Sequence, residues 1–392
     1  MGKLIDSCIN ITDGEHNTVS KESGTGYFLL ANENIVNGGV EFSSIDREIG
    51  KEDFDRIYRR CKIEVGDVLI STVGELGKLA IVEDYKSNYV FQRSVGLIKP
   101  SKLKLNSYYL YYLLSTSYAQ KKLKYSSYGS MQKGLTLDTL KNFDLDLPSL
   151  EEQLKISKPL RLIDEQIKRN NVLVQKLQVL AQAIYRRWFL QFNYPNFNKN
   201  MLYSNELKTK IPDDWSVLTL GDLVVKIALI SNKNNKNTID LSVMPSSNIS
   251  LGKLNSCDNF STNLNKMFEG NILFGSIRPY LKKCGIAPCD GNVVGTIYQF
   301  KEVRQNSYNY ALITMSQDFF FDYALKVSKG TRMPVVSCDD LLSYKMPYNK
   351  KIVDLYSKLP IKRLIVAVNK ETNKLSALKE ELIPLLINGQ LV

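Results

Sequence analysis

Gly66-Asp67-Val68-Leu69-Ile70-Ser71-Thr72-Val73 returns, about 200 residues further on, as Gly270-Asn271-Ile272-Leu273-Phe274-Gly275-Ser276-Ile277. Each copy reads as a turn running into a buried strand, because a glycine opens an apolar, β-branched run. Other features recur in the same order. Asn106-Ser107-Tyr108 becomes Asn306-Ser307-Tyr308, each with a residue able to cap a helix in front of a helix-like stretch. Tyr128-Gly129-Ser130 corresponds to Lys329-Gly330-Thr331, and a strand ending at Pro148 to one ending at Pro347. A repeat of this length implies one plan built twice, so that each half reads as a mixed globular domain followed by a long helix.

Each copy ends in a helix. Residues 160–189 contain neither Gly nor Pro, between flanks that are rich in both. Ile156, Leu160, Ile163, Ile167, Asn170, Val174, Leu177, Ala181, Ile184 and Trp188 alternate spacings of four and three, a heptad seam. Ile361, Leu364, Val368, Glu371, Leu375, Leu378, Leu382 and Leu385 do the same, with Glu371 as the polar interruption matching Asn170. Matched length, register and interruption favour pairing of the two helices over packing of each on its own domain. The expected fold class is therefore α+β: two similar mixed α/β domains separated by two long antiparallel coiled-coil helices, with a pseudo-twofold internal repeat. The expected boundaries are 1–148 for the first domain, 149–190 for its helix, 191–214 for an aperiodic Asn-, Pro- and Lys-rich connector, 215–347 for the second domain, and 348–392 for the second helix and tail. The helices then act as a spacer.

Composition narrows function. Fifty-two Lys and Arg against 40 Asp and Glu give a net charge of +12, which favours a polyanionic partner. The single histidine, His16, leaves little room for a histidine-dependent triad or zinc motif, and the six scattered cysteines form no CxxC pair. They are expected to be reduced core residues. No stretch is apolar enough to span a bilayer and the N-terminus has no signal-peptide pattern, so a cytoplasmic protein is expected. Gly24-Thr25-Gly26 lacks the third glycine of a dinucleotide fingerprint, and Gly74-Glu75-Leu76-Gly77-Lys78 is too short for a phosphate loop. No Asn-Pro-Pro-aromatic sequence is present to hold a flipped base.

Two similar basic domains at a fixed distance suit a bipartite site on a duplex. The ordered set of Ile11-Thr12-Asp13-Gly14-Glu15-His16, Gly66-Asp67-Val68-Leu69, Leu147-Pro148-Ser149-Leu150-Glu151-Glu152-Gln153 and Trp215 through Leu223 resembles the specificity subunits of Type I restriction-modification systems. The resemblance covers nearly the whole chain. It implies two target recognition domains, each reading one half of a split sequence in double-stranded DNA. It also implies helices that set the gap and dock methyltransferase subunits, two being expected, with restriction/translocase subunits as further partners and no membrane. The chain itself is then non-catalytic and binds no cofactor or metal. S-adenosylmethionine, and ATP and Mg for restriction, belong on the partner subunits. The alternatives are a self-contained DNA methyltransferase with diverged motifs and a two-headed interaction protein that does not bind DNA.

Polar and cationic side chains near turns that punctuate strands are the types that reach phosphates and base edges. In the first domain they are His16, Asn17, Lys78, Gln92, Arg93, Ser130, Gln132 and Lys133. In the second they are Arg278, Tyr280, Lys282, Lys283, Lys329, Thr331 and Arg332. The glycine-centred loops at 128–133 and 329–332 stand out because they recur at equivalent places with different side chains. Helix pairing is expected through Ile163, Ile167, Asn170, Val174, Leu177 and Ile184 on one side and Leu364, Val368, Glu371, Leu375, Leu378 and Leu385 on the other. Arg186-Arg187-Trp188-Phe189 combines cations and aromatics at a helix end, and either docks a methyltransferase subunit or packs on its own domain. The run Tyr108-Tyr109-Leu110-Tyr111-Tyr112 offers a stacking platform in form, but helix packing is its expected role.

Overall fold

A computed structural model describes residues 2–43, 45–128, 134–195 and 200–390. It divides into two compact units, Met1–Asp164 with Leu378–Val392, and Glu165–Ala377. In the first unit a four-stranded antiparallel sheet has the order Cys8–Asp13, Val95–Pro100, Val68–Ser71, Leu79–Ile81. Both faces of its inner strands are covered. Val68, Ile70 and Ile98 pack into one core cluster, while Leu69, Val95 and Leu97 pack into another on the opposite face. That is why the sequence there is an unbroken apolar run instead of an alternating one. The second core cluster also holds a smaller sheet in which Phe28–Leu30 runs parallel to Tyr89–Phe91 and antiparallel to Arg47–Glu48.

The second unit repeats this plan. Val224–Ile227, Ile297–Glu302, Ile272–Gly275 and Cys284–Ile286 form an antiparallel sheet of the same order. Ile272 and Phe274 enter one core and Leu273 the other. Asn237–Ile239 runs parallel to Gly291–Val294, as Phe28–Leu30 does to Tyr89–Phe91. Helices Ser107–Ser115 and Tyr308–Met315 occupy corresponding places but start differently. The Asn106 side chain caps the first by accepting from the Tyr109 N–H at 3.0 Å. In the second, the Tyr308 N–H donates to Glu302 Oε1 at 2.9 Å. Tyr109 and Tyr112 of the tyrosine run are buried, and the Tyr112 hydroxyl donates to Asp164 at 2.7 Å, so the run serves helix packing.

The first long helix, Leu150–Tyr185, opens on a capping box. The Ser149 N–H donates to Glu152 Oε2 at 2.9 Å, and the Glu152 N–H donates to Ser149 Oγ at 3.3 Å. It runs through Pro159 without a break. The second copy departs here, because Ser157-Lys158-Pro159-Leu160 is matched by Ser357-Lys358-Leu359-Pro360-Ile361, with one residue inserted before the proline. The helical region is accordingly split into Lys350–Ser357 and Ile361–Ile387. Proline has no N–H to continue a helix, and in the second copy it opens a new one instead.

The long helices meet in antiparallel fashion. In the second unit Asn170 Nδ2 donates to Thr372 Oγ1 at 3.2 Å, and the shorter helix Lys350–Ser357 adds the Tyr356 hydroxyl, which donates to the Ala181 carbonyl at 2.8 Å. In the first unit Lys379 Nζ lies 2.6 Å from Asp164 Oδ1, and Ile383 and Leu386 share a core cluster with Ile156 and Leu160. The buried residues of the second helix are Ile361, Ile365, Val366, Val368, Asn369, Ile383 and Leu386. They therefore lie one residue beyond much of the expected seam: Leu364 and Leu375 are half-buried, Glu371 is exposed, and Leu378 and Leu385 are 44% and 36% exposed. Adjacent apolar pairs, Leu382-Ile383 and Leu385-Leu386, let a heptad period fit two faces one residue apart, and the ion pair to Asp164 fixes the face carrying Lys379. On the first helix Ile163 and Ile167 are half-buried and Asn170 and Val174 buried. Beyond Val174 the stripe passes to Gln178, Ala181, Tyr185 and Phe189, leaving Leu177 and Ile184 half-buried. A helix that packs on a globular core keeps its own period near 3.6 instead of the 3.5 of a coiled coil.

Two further expectations are corrected in the second unit. Phe189 is fully buried, 4.3 Å from the Tyr310 ring centroid and 5.8 Å from that of Trp215, and Trp188 packs at 6.2 Å from Tyr356. Only Arg186 and Arg187 of that quartet face outward. The connector is not irregular throughout: Met201–Ser204 and Thr209–Pro212 form a hairpin, and Phe192, Tyr194 and Ile211 are buried in the same core. These segments cover aromatics that would otherwise end the helix in water.

The register of the helix pair has a direct consequence for stability. Ile383→Ala should cost about 2–5 kcal/mol, as expected of a buried aliphatic truncation. Leu378→Ala should change stability by no more than about 0.5 kcal/mol. Urea denaturation of the two variants compares them, and equal losses would contradict the assigned face.

Candidate nucleic-acid interface

In the first unit, the end of strand Val68–Ser71 joins two other segments. The Thr72 N–H donates to the Ser94 carbonyl at 2.9 Å, Thr72 Oγ1 to the Arg93 carbonyl at 2.9 Å, and the Leu135 N–H to the Thr72 carbonyl at 2.9 Å. Around this junction opens a cleft of about 640 Å³ lined by Asp13, His16, Thr72, Val73, Arg93, residues 134–138 and Lys141. Arg93 is exposed and its guanidinium makes no hydrogen bond or ion pair among the described residues.

His16 reaches the cleft because the chain before it crosses very close to a neighbouring strand. The Gly14 N–H donates to the Val95 carbonyl at 3.2 Å and the Glu15 N–H to the Phe91 carbonyl at 2.8 Å. A Cβ on Gly14 would stand 2.1 Å from the Phe91 carbonyl oxygen, so only glycine fits. Glu15 then anchors the segment. Its carboxylate accepts from Arg56 Nη1 at 2.9 Å and from the Asn17 N–H at 2.8 Å. Burial opposes its charge, but these bonds and the cations Arg56 and Arg60 outweigh burial and hold its pKa below the ordinary value. The exposed His16 ring lies 2.8 Å from Asp13 through Nε2.

The second unit builds the same junction. The Ser276 N–H and Oγ donate to the Thr296 carbonyl at 2.9 and 2.8 Å, and the Val336 N–H donates to the Ser276 carbonyl at 2.9 Å. Residues 329–335 form a loop closed by two backbone bonds between Lys329 and Val335, at 2.9 and 2.8 Å. The Arg278 N–H ties this loop to the strand end by donating to the Pro334 carbonyl at 2.7 Å. Arg278, Tyr280, Lys329, Thr331 and Arg332 are exposed around it. Met333 and Val335, which the sequence reading did not single out, are also exposed at 50% and 37%.

Not every candidate stands free. Lys283 Nζ is held inside the fold by the carbonyls of Leu241 and Met244. Lys282 pairs with Asp318 at 2.7 Å, and Lys78 with Glu75 at 2.8 Å. Asn17 is exposed and Gln92 is half-buried. Ser130, Gln132 and Lys133 lie outside the described residues. All six cysteines are free thiols, and burial pushes Cys8 up to about 12. Among the described residues no His, Cys, Asp or Glu cluster is arranged to hold a metal, and no helix is long and apolar enough to cross a membrane.

One domain plan used twice, each copy gathering polar loops at the end of its central strand and running into a long helix, defines the class. Residues 17–178 match the family model described as Type I restriction modification DNA specificity domain. The MjaIX specificity subunit of a Type I restriction enzyme from Methanocaldococcus jannaschii is 24% identical over 357 residues, 86% of this chain and 81% of that one. The EcoBI specificity subunit from Escherichia coli is 32% identical over 160 residues, 40% of this chain and 33% of its own length. The fold is that of the crystal structure of the S subunit of a Type I restriction-modification system from M. genitalium, with a TM-score of 0.56 and 15% identity over 97% of this chain and 94% of that one. The chain is thus similar, along nearly all of its length, to Type I restriction-modification specificity subunits.

Glu15 supplies a pH test. Its pKa is lowered in the folded state, so its stabilisation is present above the ordinary glutamate value and is lost as pH falls through the folded value. Glu15→Gln should lower stability by about 1–3 kcal/mol at neutral pH. The difference from the parent should shrink steadily below about pH 4. Denaturation midpoints measured across that range would show it, and a gap independent of pH would contradict the role.

Proposed function

We propose that this chain is the DNA-reading specificity subunit of a Type I restriction-modification enzyme, with each globular domain recognising one half of a bipartite site. The observation that carries this reading is the repeated junction at the strand end, Thr72 in one unit and Ser276 in the other. It sets a cleft or loop of exposed cationic and polar side chains on each copy of one fold. The scaffold is shared and the side chains differ, as two different half-sites require. The net charge of +12 agrees with a phosphate-rich partner.

The chain is read as non-catalytic, with S-adenosylmethionine, and ATP and Mg for restriction, held by partner subunits. Those partners need a landing surface, and the first long helix supplies one within the second unit. Val172, Leu173, Val179 and Leu180 repeat at a heptad interval and are 48%, 45%, 65% and 55% exposed, on a face away from the buried stripe. Helical segments of a methyltransferase subunit would cover such a face, and two such subunits would match the internal repeat. This stripe replaces Trp188 and Phe189, which the second unit's core consumes.

Arg332→Ala should weaken binding by about 1–3 kcal/mol and relax selection at one half-site only, and Arg93→Ala should do the same at the other. Binding of the parent should fall with salt at a log–log slope of about 0.9 per phosphate contact. Selection from randomised duplexes reads the first effect, and methylation by the purified chain alone would refute the non-catalytic reading. Separately, Leu173→Glu with Leu180→Glu should abolish co-purification with the methyltransferase subunit while leaving the melting temperature within a few degrees of the parent. Full retention of the complex would place the docking surface elsewhere.

A further inference from the structure

We propose that the two halves read DNA with an arginine standing on opposite walls of the same junction, Arg93 in the first and Arg278 in the second. The inference rests on the DNA-reading function argued above and assigns it a specificity-determining residue in each half.

The strand registers make the correspondence explicit. Val95 pairs with Ser71, and Ile297 with Gly275. Counting outward from these pairs, Gly74 occupies the place of Arg278, and Arg93 the place of Gly295. Each half therefore has one arginine and one glycine, exchanged. In the first unit the segment before strand Val95–Pro100 carries the cation, and the turn after Val68–Ser71 carries the glycine. In the second unit the assignments are reversed.

The backbone shows that the exchange is not neutral. Gly74 has φ +76°, a conformation natural to glycine. Arg278 adopts the same left-handed region, with φ 50° and ψ 62°, where a side chain crowds its own carbonyl. Glycine would fit this turn with less strain, yet the position holds an exposed arginine. Its N–H is bonded to Pro334, and its guanidinium makes no hydrogen bond or ion pair among the described residues. Among the described residues nine other non-glycine residues share a positive φ, Lys282 in the same turn among them, so it is the pairing of that conformation with an exposed side chain the fold does not use, at the place of Gly74, that motivates a role for Arg278 outside the fold. At Gly295, by contrast, a Cβ would meet nothing within 4 Å, so the opposite wall stands open. A guanidinium reads guanine through two parallel hydrogen bonds in the major groove, and moving it across the junction changes which base it can reach.

Selection of randomised duplexes by the full-length chain, together with its thermal melting, tests this. Arg278→Gly should weaken binding to the parental sequence by about 5- to 150-fold, the span of one bidentate base contact. It should erase base preference at one half-site, leave the other unchanged, and melt no lower than the parent because strain is relieved. Arg278→Gly combined with Gly295→Arg should recover affinity with a shifted base preference in that same half-site. Arg93→Gly should affect only the other half-site. Unchanged base preference in Arg278→Gly would overturn the proposal, as would an equal loss on all sequences or no recovery in the double variant. A parent chain with no base preference at all would instead sink the DNA-reading function, and this proposal with it.

Discussion

Three backbone segments converge at one residue in each half of the molecule, and the candidate interface depends on that convergence. Thr72 and Ser276 each end a strand buried on both faces, donate to the segment before the neighbouring strand and accept from a third segment, at Leu135 and Val336. The junction hydroxyls donate to main-chain carbonyls as well. Such main-chain bonds are indifferent to the side chains beyond them. The junction can therefore stay fixed while Arg93, His16, Arg278, Thr331 and Arg332 vary around it. A rigid frame carrying replaceable readers is what recognition of two dissimilar half-sites demands.

The architecture was legible where its physics is periodic. A glycine turn followed by an apolar run marked both central strands, because double burial leaves no polar alternation. Heptad spacing marked both long helices, but the polar partner of Asn170 is Thr372, one residue beyond the expected Glu371, which is exposed. The face of the second helix was not legible, since Leu382-Ile383 and Leu385-Leu386 satisfy either register. Arg186-Arg187-Trp188-Phe189 was ambiguous for another reason. Whether an aromatic at a helix end is covered depends on chain arriving from elsewhere, here a hairpin and the buried Phe192 and Tyr194.

The candidate interface was legible only in outline. Residue type near turns selected Arg93, His16, Arg278 and Arg332, which are exposed, but it also selected Lys283, whose ammonium the fold consumes. Nothing in a sequence marks which lysine will find two carbonyls, because those carbonyls belong to residues some 40 positions away. Backbone conformation was hidden too. The left-handed turn at Arg278 carries no glycine to announce it, and only the equivalent Gly74 in the other copy hints at the shape that both must take.

The division of the long helices between units governs the order in which the protein can complete itself. Ile383 and Leu386 belong to the core that contains Ile156 and Leu160, yet they leave the ribosome about 220 residues later. The first unit is thus finished only after the strands of the second have been made. Until the second long helix arrives, the apolar face around Leu160 has no cover from it, and a growing chain must pass through a stage in which one unit waits, partly open, for a segment made after the other.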